Sequence, residues 1–138
     1  MRLYVDTSAL VKLLVREPES ERVQHLWLSA ARRFSSRLVY VEARSALARA
    51  LRGGRLTQRQ HTRAIRDLDD LLAEIDFVEV TEALVSEAGE IAERHRLRAY
   101  DAVHLAASLA LDEVALVVAT WDVELRRAVP EAGLALAE

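Results

Sequence analysis

The chain has 138 residues, 51% of them hydrophobic and 30% charged, a composition that suits one folded domain and excludes a disordered chain. No apolar run approaches the roughly 18–20 residues that span a bilayer, and no cysteine is present to form a disulfide, a thiolate nucleophile or a Cys-based metal centre. Nineteen basic against 22 acidic residues leave a formal −3, so net charge does not mark a nucleic-acid binder, although Lys12 is the only cation that is not arginine. The expectation is a cytoplasmic protein whose residues 1–138 make a single domain.

Leu3-Tyr4-Val5 reads as a short strand that ends at Asp6. Thr7-Ser8 offers an N-cap for a helix through Val15, with Leu10, Leu13 and Leu14 at core spacing. Pro18 suits the first turn of a second helix, whose apolar stripe is Val23, Leu26, Trp27 and Ala30. Phe34-Ser35 is a short strand candidate before a helix from Val39 to Arg52, which Gly53-Gly54 ends. Thr57 opens a long amphipathic helix with Ala64, Ile65, Leu68, Leu71, Leu72 and Ile75 on one side, and Phe77-Val78-Glu79-Val80 reads as a strand. Thr81 and Glu82 begin a helix carrying Leu84, Ala88, Ile91 and Ala92. Tyr100 to Leu111 is apolar nearly all round, as in a buried helix, and Ala115 to Ala119 has the unbroken apolar character of a strand covered on both faces. A short helix follows Asp122 until Pro130, and Leu134-Ala135-Leu136 adds a last strand. Short apolar strands alternating with longer helices predict an α/β fold, a central, mostly parallel sheet between layers of helices.

Ligands of such sheets gather beyond the carboxyl ends of the strands. Two predicted strands deliver an acid there, Asp6 and Asp122, although each also stands where it can cap the next helix. On the Tyr100–Leu111 helix, Asp101, His104 and Ser108 make a polar stripe one turn apart on a segment otherwise built from Ala, Leu and Val. A carboxylate on a buried helix needs a partner, either an arginine or a cation. Glu42 opens the third helix, where the helix dipole alone accounts for a glutamate. Four carboxylates around one pocket repel one another, and a divalent cation removes that penalty. Oxygen donors without cysteine favour Mg²⁺ or Mn²⁺ over zinc, and such sites activate water for in-line attack at phosphorus. His104 reads as a hydrogen-bond partner for a neighbouring acid. Gly53-Gly54 lacks the spacing and Lys-Ser/Thr of a phosphate loop, and Ser8 stands where an aspartyl phosphotransferase needs a second Asp.

Asp6-Thr7-Ser8 after the first strand, Glu42 opening a helix, Tyr100-Asp101-Ala102-Val103-His104-Leu105-Ala106, and Ala119-Thr120-Trp121-Asp122 together resemble the PIN-domain nucleases, end to end. In length and motif wording the chain looks like the VapC-type toxins of bacterial and archaeal toxin–antitoxin modules. That resemblance implies a PIN-like three-layer sandwich and a Mg²⁺- or Mn²⁺-dependent endoribonuclease that cuts structured RNA, often tRNA or rRNA. It implies Asp6 and Asp101 as principal metal ligands, with Glu42 and Asp122 completing the metal site and the catalytic set. Ser8 and Thr120 match the small hydroxyl positions that support those acids. It also implies a VapB-like antitoxin that blocks the pocket, and a homodimer. Arg16, Arg44, Arg98 and Arg126 are the candidate RNA contacts near the site in sequence. The competing reading is a catalytically silent scaffold of the same fold that binds RNA or a protein partner.

Overall fold

Strand β1 (Arg2–Val5) sends alternate side chains to opposite faces of a sheet: Leu3 and Val5 join one apolar core and Tyr4 the other. The structure, a computed structural model of the chain, describes residues 1–138. After β1 come α1 (Thr7–Leu14), α2 (Ser20–Ser29), β2 (Arg32–Ser36), α3 (Val39–Arg52), α4 (Gln58–Leu72) and β3 (Ile75–Val78). The chain continues through α5 (Glu82–His95), α6 (Ala99–Ala110), β4 (Leu116–Ala119), α7 (Val123–Glu131) and β5 (Ala135–Leu136). All five strands are parallel, in the order β3-β2-β1-β4-β5.

Leu10, Val23, Trp27, Leu47 and Leu68 place α1 to α4 over one face, against Leu3, Val5 and Ala119. Ile91, Leu105 and Leu125 place α5 to α7 over the other, against Tyr4, Phe34 and Val118. The result is the three-layer sandwich, with a wholly parallel sheet at its centre. No helix is long and apolar enough to cross a membrane.

Several boundaries differ from the sequence reading, each for a local reason. Asp6, not Thr7 or Ser8, caps α1, accepting the Ala9 N–H at 3.0 Å. Helix α2 begins at Ser20, after Glu19 takes a left-handed φ of 71°, so Pro18 lies before the helix and not in its first turn. Ile75 leaves the face of α4 and starts β3, two residues ahead of the expected strand, because Arg33–Ser36 of β2 pairs with Ile75–Val78. Helix α4 otherwise starts as expected, with a reciprocal Thr57–Gln60 capping box.

The strand order sets the site. From β1 the chain steps outward through β2 and β3 over one face, then returns by α5 and α6 to β4 on the other flank of β1. Consequently β1 and β4 are neighbours whose following helices, α1 and α7, depart to opposite faces. A crevice opens between them at the carboxyl ends, where Asp6 and Thr120-Trp121-Asp122 leave the sheet.

Candidate active site

A cavity of about 950 Å³ occupies this crevice, and Asp6, Glu42, Asp101 and Asp122 all line it, with Thr7 and His104. Four acids from four separate stretches of chain therefore share one concave surface, which neither capping nor dipole stabilisation requires.

Asp6 is 3% exposed and fully engaged. Its Oδ1 accepts from Ser8 Oγ at 2.7 Å and the Ala9 N–H at 3.0 Å, and its Oδ2 accepts from Thr120 Oγ1 at 2.5 Å. Ser8 Oγ in turn accepts the Trp121 N–H at 2.8 Å, and Thr120 Oγ1 accepts the Asp122 N–H at 3.1 Å. The two hydroxyls thus pin Asp6 and tie the end of β1 to the end of β4. Burial still pushes the Asp6 carboxyl above the ordinary aspartate range, against the lowering effect of nearby His104 and of these hydrogen bonds.

Asp101 lies in the first turn of α6. Its Oδ2 is buried without a hydrogen-bond partner. The arginine that a structural ion pair calls for is Arg98, but its Nε stands 3.6 Å from that oxygen, beyond hydrogen-bond range, and its side chain is 79% exposed. Burial and then the Asp122 charge raise the Asp101 pKa; Arg98 lowers it, and Asp6 raises it further. Asp122 caps α7 through the Leu125 N–H at 3.0 Å, and its Oδ2 meets Arg98 Nη2 at 3.3 Å. Arg98 is therefore a loose clamp over two of the acids.

Glu42 comes from the first turn of α3 and is held from across the molecule. His104, 2% exposed, bonds Glu42 Oε1 through Nε2 at 2.7 Å and the Tyr4 hydroxyl through Nδ1 at 2.8 Å. The Tyr4 hydroxyl accepts the Ser36 N–H at 3.1 Å, so in the neutral ring its own proton goes to Nδ1 and Nε2–H donates to Glu42. Burial pulls the imidazole pKa down, but the Glu42 hydrogen bond and the charges of Glu42, Asp6 and Asp101 outweigh it and raise it above 6.5. Burial, with the nearby acids, keeps the Tyr4 phenol protonated.

The expected stripe on α6 splits. Asp101 and His104 reach the cavity, whereas Ser108 donates to the His104 carbonyl at 2.9 Å, within its own helix. Arg126 holds the Thr120 carbonyl at 2.8 Å, and Arg44 donates to the Tyr40 hydroxyl. The cations that line the cavity besides Arg98 are Lys12, Arg49 and Arg55. Sequence reading passed over these three, although Arg49 stands two helical turns after Glu42 on the same face of α3.

No three His, Asp or Glu side chains converge into a finished cation cage. What fits a hard divalent cation is the donor chemistry. The groups are carboxylate oxygens: burial raises Asp6 and Asp101, the Asp122 and Asp6 charges raise Asp101 further, and Asp101 Oδ2 has no hydrogen-bond donor.

Comparison with known proteins identifies the family of the fold. The PIN-domain family profile matches residues 3–129. Ribonuclease VapC49 of Mycobacterium tuberculosis is 43% identical over 135 residues, covering 98% of this chain and 94% of the relative. Ribonuclease VapC46 of the same organism is 33% identical, covering 97% and 95%. Among solved structures, the M. tuberculosis toxin VapC20 superposes with a TM-score of 0.72 at 22% identity, covering 96% of this chain and 95% of that one, and shares the fold.

Proposed function

The chain belongs to the PIN-domain family, among its VapC-type ribonucleases, and from that membership we propose how it acts: as a divalent-metal-dependent endoribonuclease, the toxin of a type II toxin–antitoxin pair. The observation that carries the reading is the set of four carboxylates around one cavity at the β1–β4 crevice, with Asp101 Oδ2 buried and without a hydrogen-bond donor.

Asp6 and Asp101 would hold Mg²⁺ or Mn²⁺, with Glu42 and Asp122 completing the set. Such an ion, when bound, would offset the carboxylates' repulsion, polarise the phosphodiester and acidify water. Ser8 and Thr120 keep Asp6 in one orientation, and the raised Asp6 and Asp101 carboxyls gain most from a nearby positive charge. His104 occupies Glu42 Oε1, leaving Oε2 to accept from the attacking water. Arg49 and Arg55, on the cavity wall, meet the phosphates that flank the cut.

The substrate of this reading is structured RNA, tRNA or rRNA, acted on by a single domain of residues 1–138 in the cytoplasm. The controlling partner is a VapB-like antitoxin that covers the cavity, and the working unit is a homodimer. Val41 and Tyr100, exposed by 59% and 63% at the cavity wall, offer that antitoxin apolar contact.

Incubation of the purified chain with total cellular RNA and Mg²⁺ or Mn²⁺ tests the activity. Cuts at discrete positions that vanish in EDTA are expected. Cutting that persists in EDTA, or none under any ion, contradicts the reading.

A further inference from the structure

Charge is distributed unevenly along this chain. Residues 43–66 hold seven arginines and no acid, while the other twelve cations share the rest of the chain with all 22 acids. Every one of the seven is exposed. Only Arg55 meets a carboxylate, Glu17 Oε1 at 3.6 Å.

The stretch starts inside the active-site cavity, where Arg49 and Arg55 form part of the wall. It continues onto α4, whose first residue lies three positions after Arg55. There Arg59, Arg63 and Arg66, with Gln58 and Thr62, line a shallow depression that contains no hydrophobic residue. Arg59, Arg63 and Arg66 recur at spacings of four and three, so they share one face of the helix over about 10 Å of its axis.

Helix stability does not account for this placement. Cations belong at the carboxyl end of a helix and anions at its amino end. Helix α4 does the reverse: Arg59 and Arg63 are in its first half with no acid in the first turn, and Asp67, Asp69 and Asp70 are in its second half. The arginines at three- and four-residue spacing also repel one another. A protein-binding patch has an apolar centre, which this depression lacks, whereas a row of unpaired guanidinium groups suits successive phosphates.

We propose that the exposed arginines of residues 43–66, running from Arg49 and Arg55 in the cavity to Arg59, Arg63 and Arg66 on α4, form a phosphate track that holds the RNA backbone beyond the cleavage site. The proposal rests on the nuclease reading and extends it, because it explains how a chain of net charge −3 binds a polyanion through one local surface.

The test is fluorescence anisotropy of a labelled 24-nucleotide RNA stem–loop with the full chain in EDTA, where nothing is cut, across a KCl series. Three proteins are compared: the unaltered chain, the triple variant Arg59→Gln, Arg63→Gln, Arg66→Gln, and the charge-matched variant Arg22→Gln, Arg94→Gln, Arg96→Gln. Each phosphate contact contributes about 0.7–0.9 to the slope of log affinity against log salt. The α4 triple is therefore expected to flatten the slope by about 2 and to weaken binding about tenfold or more at 100 mM KCl. The charge-matched variant is expected to change the slope by less than half of that. Equal losses in both triples, or an unchanged slope in the α4 triple, overturn the track; an unchanged slope with weakened antitoxin binding assigns the surface to the protein partner instead. If the α4 triple melts early, Arg63→Gln alone serves, with a slope change of about 0.7–0.9 expected. The two readings fail separately: a chain that cuts total RNA while the α4 triple binds normally has the nuclease without the track, and a chain that never cuts while the slope falls has the track without the nuclease.

Discussion

Asp101→Asn is expected to lower metal-dependent RNA cleavage by about a thousandfold or more while making the metal-free chain more stable. The two effects have one cause. Asp101 Oδ2 is buried with no hydrogen-bond donor, and the neighbouring Asp122 and Asp6 charges press on the same carboxylate. A neutral amide of the same shape removes that repulsion and also removes the charge a cation needs. In EDTA the gain is on the order of 1 kcal/mol, about 3–5 °C in melting temperature for a chain of this size. Its pH dependence follows from the sign of the shift. The Asp101 pKa is raised in the folded state, so the folded chain holds that proton more tightly than the unfolded one. The penalty is full above the raised pKa and fades as pH falls through it. The melting advantage of Asp101→Asn is therefore larger at pH 8 than at pH 5. Calorimetry in EDTA at the two values checks this, and a variant that cuts RNA like the unaltered chain, or melts lower at both, contradicts it.

His104→Ala is expected to cost about 2–4 kcal/mol of stability, the largest loss of any single change around the cavity. The imidazole is buried, fills space between β1 and α3, and satisfies Tyr4 and Glu42 together. Truncation leaves a void and strands the Glu42 carboxylate without its one neutral or cationic donor. His104 touches the proposed site through Glu42, so it acts as a positioning residue. The cleavage loss is expected as a fall in kcat of about 10–100-fold with KM little changed. His104→Gln, whose amide still donates to one of the two partners, is expected to recover part of both losses. Equal kcat for the Ala variant and the unaltered chain, once melting is taken into account by assaying below the transition, would remove His104 from the mechanism.

The elements and the acids were legible because both follow from local pattern. The short apolar runs Leu3-Tyr4-Val5 and Ala115–Ala119 mark strands, and the polar residues on the buried α6 mark a site. Boundaries slipped where tertiary pairing decides. Ile75 has the spacing of the α4 face, but pairing with Arg33 of β2 claims it for the sheet. The capping and catalytic readings of Asp6 and Asp122 also proved compatible, since each caps a helix and lines the cavity at once.

What local pattern could not show was who faces whom. Tyr4 reads as strand core, and its link to His104 spans 100 residues of sequence. A buried tyrosine needs a partner for its hydroxyl, but only the position of α6 over β1 and β2 names that partner. Of the arginines near the site in sequence, Arg98 lines the cavity and clamps two acids, and Arg126 holds a strand-end carbonyl. Arg49 and Arg55 join Arg98 on the cavity wall: the packing of α3 against α1 brings Arg49 there, and Arg55, just beyond α3, meets Glu17 at 3.6 Å.

The most direct measurement is an anomalous difference map from a crystal of the chain grown with Mn²⁺. A peak in the β1–β4 crevice, about 2.2 Å from carboxylate oxygens of both Asp6 and Asp101, is the expected result. A Mn²⁺ peak that avoids these two acids, or none at an ion concentration that supports RNA cleavage, contradicts the assignment of this cavity as the metal-dependent nuclease site.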